Sequence, residues 1–291
     1  RGHQPGGRFM SKWHLIIDVA LCHNCSNCFI ACKDEHVGND FPGYAASQPL
    51  HGHSWFHVEQ TERGQAPMVE TAYLPKSCNQ CADAPCTKVG DGAVYQREDG
   101  IVIIDPVKAK GKKEIVSSCP YGAIWWNEES QLPQKWIFDA HLLDRGWKEP
   151  RCSQVCPTGA IQAVKTTDED MQHRTQTENL RVLSPEFGTS PRIHYRNLHR
   201  FTHHFVGGTV VGDVADQLEC LEGVSVKLTR NGEPAGEATS DIFGEFKIDE
   251  LPDDSGEYTL HLSHQGFEAL ETTVSLDKSL YLNELKLTVQ T

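Results

Sequence analysis

The chain has 291 residues, enough for one large domain or two ordinary ones. Hydrophobic residues make up 38% and the formal net charge is −13 at pH 7, which argues against nucleic acid and anionic membrane surfaces as partners. There is no run of about 18 apolar residues, so no transmembrane segment is expected.

Residues 1–10 contain neither an apolar segment nor a twin-arginine pair. They read as a leader or disordered stretch with Met10 as the natural start, and a cytoplasmic location is expected. Trp13 to Asp18 predicts a short strand. It leads into Cys22-His23-Asn24-Cys25-Ser26-Asn27-Cys28-Phe29-Ile30-Ala31-Cys32, spaced C-x2-C-x2-C-x3-C. This is the bacterial ferredoxin run, in which three cysteines hold one [4Fe–4S] cluster and the fourth ligates another. Thiolates on a tight loop take three corners of a cubane and leave the last for a remote cysteine. Lys33 stands where a proline usually follows the fourth cysteine.

Residues 33–77 read as an irregular insertion. His51, His53 and His57 lie in it, but H-x-H-x3-H has no matching second half, so these rings are expected to pack rather than to bind metal. Cys78, Cys81 and Cys86 form a second group, spaced C-x2-C-x4-C; the next ligand expected by spacing would fall at Gly90. Residues 93–105 predict a hairpin around Asp99-Gly100. Cys119-Pro120 then resembles the end of a third run whose earlier positions, Ala109, Lys112 and Ile115, carry no thiol. Cys152 and Cys156-Pro157 form the last group. Residues 166–180 predict a helix and 184–200 an extended linker. Beyond them, short alternating runs at 208–211, 224–228, 245–248, 258–262 and 271–274 predict a small β-sandwich.

Ten of the eleven cysteines lie between Cys22 and Cys156, a distribution that reads as metal binding rather than disulfide bonding. Cys220 is expected to be a structural thiol of the β-domain. If the fourth cysteine of each run crosses over to the partner cluster, Cys22, Cys25, Cys28 and Cys156 form one [4Fe–4S] site. Cys78, Cys81, Cys86 and Cys119 form a second. Cys32 and Cys152 are left for a third site, whose missing positions fall at Trp136 and Asp139. Three outcomes stay open there: a [3Fe–4S] cluster with Asp139 as an oxygen ligand, a cubane with a non-protein ligand, or no cluster. Trp125, Trp126 and Trp136 read equally well as cluster shields and as core aromatics.

The four-part cysteine layout resembles the iron–sulfur subunits of molybdopterin oxidoreductases of the dimethyl-sulfoxide-reductase family. More closely, the chain is similar to the small subunits of pyrogallol–phloroglucinol transhydroxylase and resorcinol hydroxylases. The matching residues are the first cysteine loop with Asp34-Glu35-His36, then Phe41-Pro42-Gly43-Tyr44, residues 92–101, Lys110 to Glu114, and Asp241 to Phe246. The resemblance implies an α+β chain: a ferredoxin-like iron–sulfur domain of two halves over 11–198 and an antiparallel β-sandwich or barrel over 199–291. It implies electron transfer for a large molybdopterin-containing subunit with a molybdenum bis-pterin centre acting on phenolic aromatics, and no catalytic residue in this chain. It also implies three clusters, the third lying between the other two, and cysteines where this chain has Trp136 and Asp139. That departure opens the alternative of a mainly structural iron–sulfur subunit with an interrupted relay. A free ferredoxin-like carrier fits less well, because a carrier needs neither the insertion nor the β-domain.

Overall fold

The computed structural model describes residues 10–254 and 256–290. The leader expected over residues 1–10 lies outside them except for Met10. The chain divides into two compact units, Arg1–Glu59 with Tyr73–Leu198, and Gln60–Ala72 with His199–Thr291.

The first unit is organised on the strand Lys12–Asp18, buried from Trp13 onward. A run of this kind, buried on both faces, belongs at the centre of a sheet. It pairs antiparallel with Ile161–Thr166, with Leu15 opposite Ala163. On its other side it pairs parallel with Ile193–Arg196, with Leu15 opposite Ile193. The linker expected over 184–200 is therefore corrected. Pro185–Phe187 makes a short 3-10 turn, and Ile193, His194 and Tyr195 are buried in the sheet.

Helices Asn27–His36 and Pro85–Gly90 each follow a cysteine loop. The hairpin around Asp99-Gly100 forms from Val94–Gln96 and Val102–Ile104. Gly100 takes φ +86°, and a Cβ there would meet Arg192 Nε at 2.9 Å, so the turn needs glycine for both conformation and space. Two further hairpins lie outside the expected elements, Trp125–Asn127 with Leu132–Gln134, and Phe56–Gln65 with Met68–Ser77. The second occupies stretches too polar to show strand alternation. Helix Asp168–Thr177 falls within the expected 166–180, and the Thr167 side chain caps it by accepting from the Asp170 amide at 3.1 Å.

In the second unit two four-stranded sheets face each other. Strand His204–Val214 carries Gln217–Cys220, Glu245–Leu251 and Leu280–Leu287 in one. Glu233–Thr239, Ser225–Arg230, Gly256–Ser263 and Leu270–Leu276 follow in order in the other. Their inward residues, among them Val206, Val210, Val226, Leu228, Phe246, Ile248, Leu260 and Leu262, form one continuous core. The expectation of a wholly antiparallel sandwich is corrected at one pair, because His204–Val214 and Leu280–Leu287 run parallel. A connection passing through the opposite sheet brings the last strand back in that direction.

Candidate iron–sulfur sites

Two quartets of cysteines surround two cavities in the first unit. Cys22, Cys25, Cys28 and Cys156 line one, with Val58, Pro75 and Ile161 in its wall. Cys78, Cys81, Cys86 and Cys119 line another, walled by Val102, Tyr121 and Ile124. The two are of similar size, which suits the same guest in each.

The backbone builds both cavities the same way. Asn24 and Gln80, each two residues after the first cysteine of its loop, have φ of 54° and 48°. These left-handed residues curl the chain around the cavity. The remote ligands sit in matching turns: Gly122 donates to the Cys119 carbonyl at 3.2 Å and Gly159 to that of Cys156 at 3.3 Å. Against the larger effect of burial, the backbone amides of Asn24 and Phe29 lower the Cys22 and Cys28 thiols, and those of Ala123 and Tyr121 lower Cys119.

The donor set fits an iron–sulfur cluster. Burial raises the Cys28 and Cys81 thiols to about 12 and Cys86 to about 11, and the neighbouring sulfurs push the same way. Four thiolates in so apolar a space require cations among them, and iron supplies that charge. Among the described residues no three His, Cys, Asp or Glu side chains gather as a single metal ion requires. The quartets instead ring a space. His51, His53 and His57 do not converge: His53 is buried against the Trp126 carbonyl at 3.0 Å, and His57 faces the Ser54 carbonyl at 3.3 Å. Cys220, expected as a structural thiol, is exposed.

The other two positions of the layout are filled by protein. At the fourth, Ala109 and Ile115 are fully buried in an apolar cluster, and a Cβ on Gly90 would meet Val94 at 2.4 Å. At the third, Cys32 and Cys152 are buried, and burial followed by the Asp139 charge raises both thiols well above their ordinary value. Trp136 packs there against Phe56 and Phe138. Asp139 is fully engaged. Its Oδ1 accepts from Trp136 Nε1 and His36 Nε2, both at 3.2 Å, and its Oδ2 accepts from the Arg151 amide at 2.8 Å. Burial works against this carboxylate, but the hydrogen bond and charge of His36 hold its pKa below the ordinary value. The network continues outward, because His141 and Arg151 both bind Glu35, at 2.8 and 2.7 Å.

Residues 69–166 match the 4Fe-4S dicluster domain family. The chain is 45% identical over 281 residues to the pyrogallol hydroxytransferase small subunit of Pelobacter acidigallici, a match covering 96% of this chain and 100% of that one. It belongs to that small-subunit family. It is also 33% identical to one of the subunits of tetrathionate reductase from Salmonella typhimurium, over 64% of this chain and 73% of the relative. One of the subunits of sulfite dehydrogenase from Allochromatium vinosum is 32% identical, over 64% of this chain and 83% of that protein. The chain is thus an iron–sulfur electron-transfer subunit of a molybdopterin enzyme complex, and a large catalytic partner is implied. Among the described residues no helix is long and apolar enough to cross a membrane.

The contacts made by three positions of this small subunit were not read from the sequence. His36 is fully buried and anchors Asp139. Gln80, 1% exposed, ties the second cysteine loop to its surroundings by accepting from the Val102 amide at 2.8 Å and donating to the Trp136 carbonyl at 3.0 Å. Lys135, also 1% exposed, donates to the carbonyl of Val102, a residue that lines the second cavity. The only sequence signal for it is a lysine beside an aromatic run, Trp136-Ile137-Phe138.

Proposed function

We propose that this subunit holds two [4Fe–4S] clusters, one on Cys22, Cys25, Cys28 and Cys156 and one on Cys78, Cys81, Cys86 and Cys119, in two ferredoxin-like halves of an iron–sulfur domain over 11–198. The observation that carries the reading is that each quartet, drawn from loops far apart in sequence, lines one cavity of similar size. The matched turns at Gly122 and Gly159 support the two-half layout. The bound clusters supply one-electron redox chemistry. The chain's residues hold them, point amides at their sulfurs and exclude water with apolar walls, which together set the potentials.

The electrons serve a large subunit with a molybdenum bis-pterin centre that acts on phenolic aromatics, a reading supported by the 45% identity to the pyrogallol hydroxytransferase small subunit. Residues 199–291 act as the β-sandwich domain of the protein. None of the eleven cysteines is in a disulfide, which suits a cytoplasmic location. Iron and acid-labile sulfide in the native assembly test the cluster count. About eight irons per chain are expected, and about twelve would sink the two-cluster reading. Cys119→Ser and Cys156→Ser should each remove one cluster's EPR signal and leave the other.

A second reading has a specific observation in its favour. Trp136 and the Asp139 network occupy the third cluster position, which in the layout the family resemblance implies lies between the other two, so on this reading the relay within the chain is interrupted and its role is mainly structural. EPR of the assembly mixed with its phenolic substrate separates the two: reduction of both clusters within a turnover supports electron transfer, and clusters that stay unchanged support the structural role.

A further inference from the structure

Lys135 is a buried cation without a carboxylate. Its Nζ donates to the Val102 carbonyl at 2.5 Å and to the Trp136 carbonyl at 3.2 Å. Among the described residues no Asp or Glu lies within 4.0 Å of that nitrogen. The contrast with other buried cations is direct. Arg63 holds Glu70 at 2.7 Å and Asp249 at 2.8 Å, and Arg192 holds Asp168 at 2.7 Å. A buried charge with nothing opposite it is strongly destabilising, so a fold that keeps one has an anion nearby.

The second cavity is where that anion belongs. Val102, whose carbonyl holds Lys135, lines the cavity together with Cys78, Cys81, Cys86 and Cys119. Gln80 pins the same backbone from the other side through the Val102 amide and the Trp136 carbonyl, so the lysine's two acceptors are fixed. Lys135 is tied only to the second cavity: neither of its acceptors, Val102 and Trp136, lines the first, which is walled by Val58, Pro75 and Ile161.

We propose that the Lys135 ammonium is the buried counter-charge of the cluster on Cys78, Cys81, Cys86 and Cys119, and that it sets this cluster's reduction potential above that of the cluster on Cys22, Cys25, Cys28 and Cys156. The inference rests on the two-cluster reading. A cubane with four thiolates is doubly negative when oxidised and triply negative when reduced. A fixed positive charge beside it therefore favours the reduced form, and the second cluster becomes the resting place of the electron.

The test is a redox titration of the native assembly followed by EPR, with Cys119→Ser used to assign the signals. Wild type is expected to show the second cluster reduced first. In Lys135→Met its ratio of reduced to oxidised form at fixed poise should fall at least tenfold, a shift of about 59 mV for one electron, while the first cluster does not move. A fully loaded Lys135→Met with an unshifted second cluster overturns the proposal. Should Lys135→Met fail to load that cluster, Lys135→Arg decides. Loading at the wild-type potential shows that the site requires the charge, and failure to load, or loading at a lowered potential, shows that the lysine only fills space. Iron and sulfide below two clusters in wild type would instead overturn the cluster reading itself.

Discussion

Replacing Asp139 tests what became of the third cluster position. The carboxylate accepts three hydrogen bonds from buried or half-buried donors, His36 Nε2, Trp136 Nε1 and the Arg151 amide. In Asp139→Ala all three donors lose their acceptor where water is scarce. At about 1–3 kcal/mol for each stranded donor, and with the losses not fully additive, the first unit should lose about 4–6 kcal/mol. Asp139→Asn keeps the shape and one acceptor oxygen, but its amide meets one of the donors and the charge is gone, so a loss of about 2–3 kcal/mol is expected. The assay is urea unfolding under argon, read by visible cluster absorbance and near-ultraviolet circular dichroism, with iron measured on the same samples. Iron content should stay at the wild-type value in Asp139→Asn. A drop of about three to four irons with little change in stability would refute the reasoning, because it would make Asp139 a ligand and not the anchor of a network.

Two further outcomes follow from the same geometry. Trp136→Cys combined with Asp139→Cys restores thiols beside Cys32 and Cys152 and removes the indole that fills the site; after reconstitution, iron should rise by about four per chain, read by iron assay and a new EPR signal. The first unit should also weaken in mild acid. Burial, followed by the Arg192 charge, lowers His14 from 6.5 to about 3 and His194 to about 4, so both are neutral in the native state and protonate near 6.5 once unfolded. The unfolded chain then binds more protons, so stability is fully present above pH 6.5 and is lost as pH falls from there toward 4 and 3. The slope should approach about 2–3 kcal/mol per pH unit, and urea midpoints at several pH values should show it roughly halved in His194→Asn.

The cysteine pattern was legible because iron dictates ligand spacing whatever surrounds it, so the run from Cys22 to Cys32 and the steps Cys119-Pro120 and Cys156-Pro157 could be read before any fold was known. The C-terminal strands were legible for a different reason: each buries one face, and alternation such as Val226 and Leu228 inside with Lys227 outside leaves a periodic trace. Strand Ile193–Arg196 left none, because it is short and follows Pro185, Gly188 and Pro191, whose usual message is a loop. The parallel pairing of Leu280–Leu287 was equally hidden, since direction depends on how the chain returns and not on the strand's own residues. His36 and Lys135 mean little in isolation. Their roles come from what lies opposite, a carboxylate at the first and two carbonyls beside a cysteine cavity at the second.

The central strand Lys12–Asp18 has a consequence for biosynthesis. It leaves the ribosome long before both of its sheet neighbours, Ile161–Thr166 and Ile193–Arg196. The loop from Cys22 to Cys28 travels with it and has no fourth sulfur until Cys156 has been made. The four cysteines from Cys78 to Cys119 are all made well before that, although the backbone of residues 189–192 that braces their loop comes later still. A nascent chain arrested near residue 130 would contain all four cysteines of one quartet and three of the other, and the incomplete quartet is the one that starts earlier in sequence.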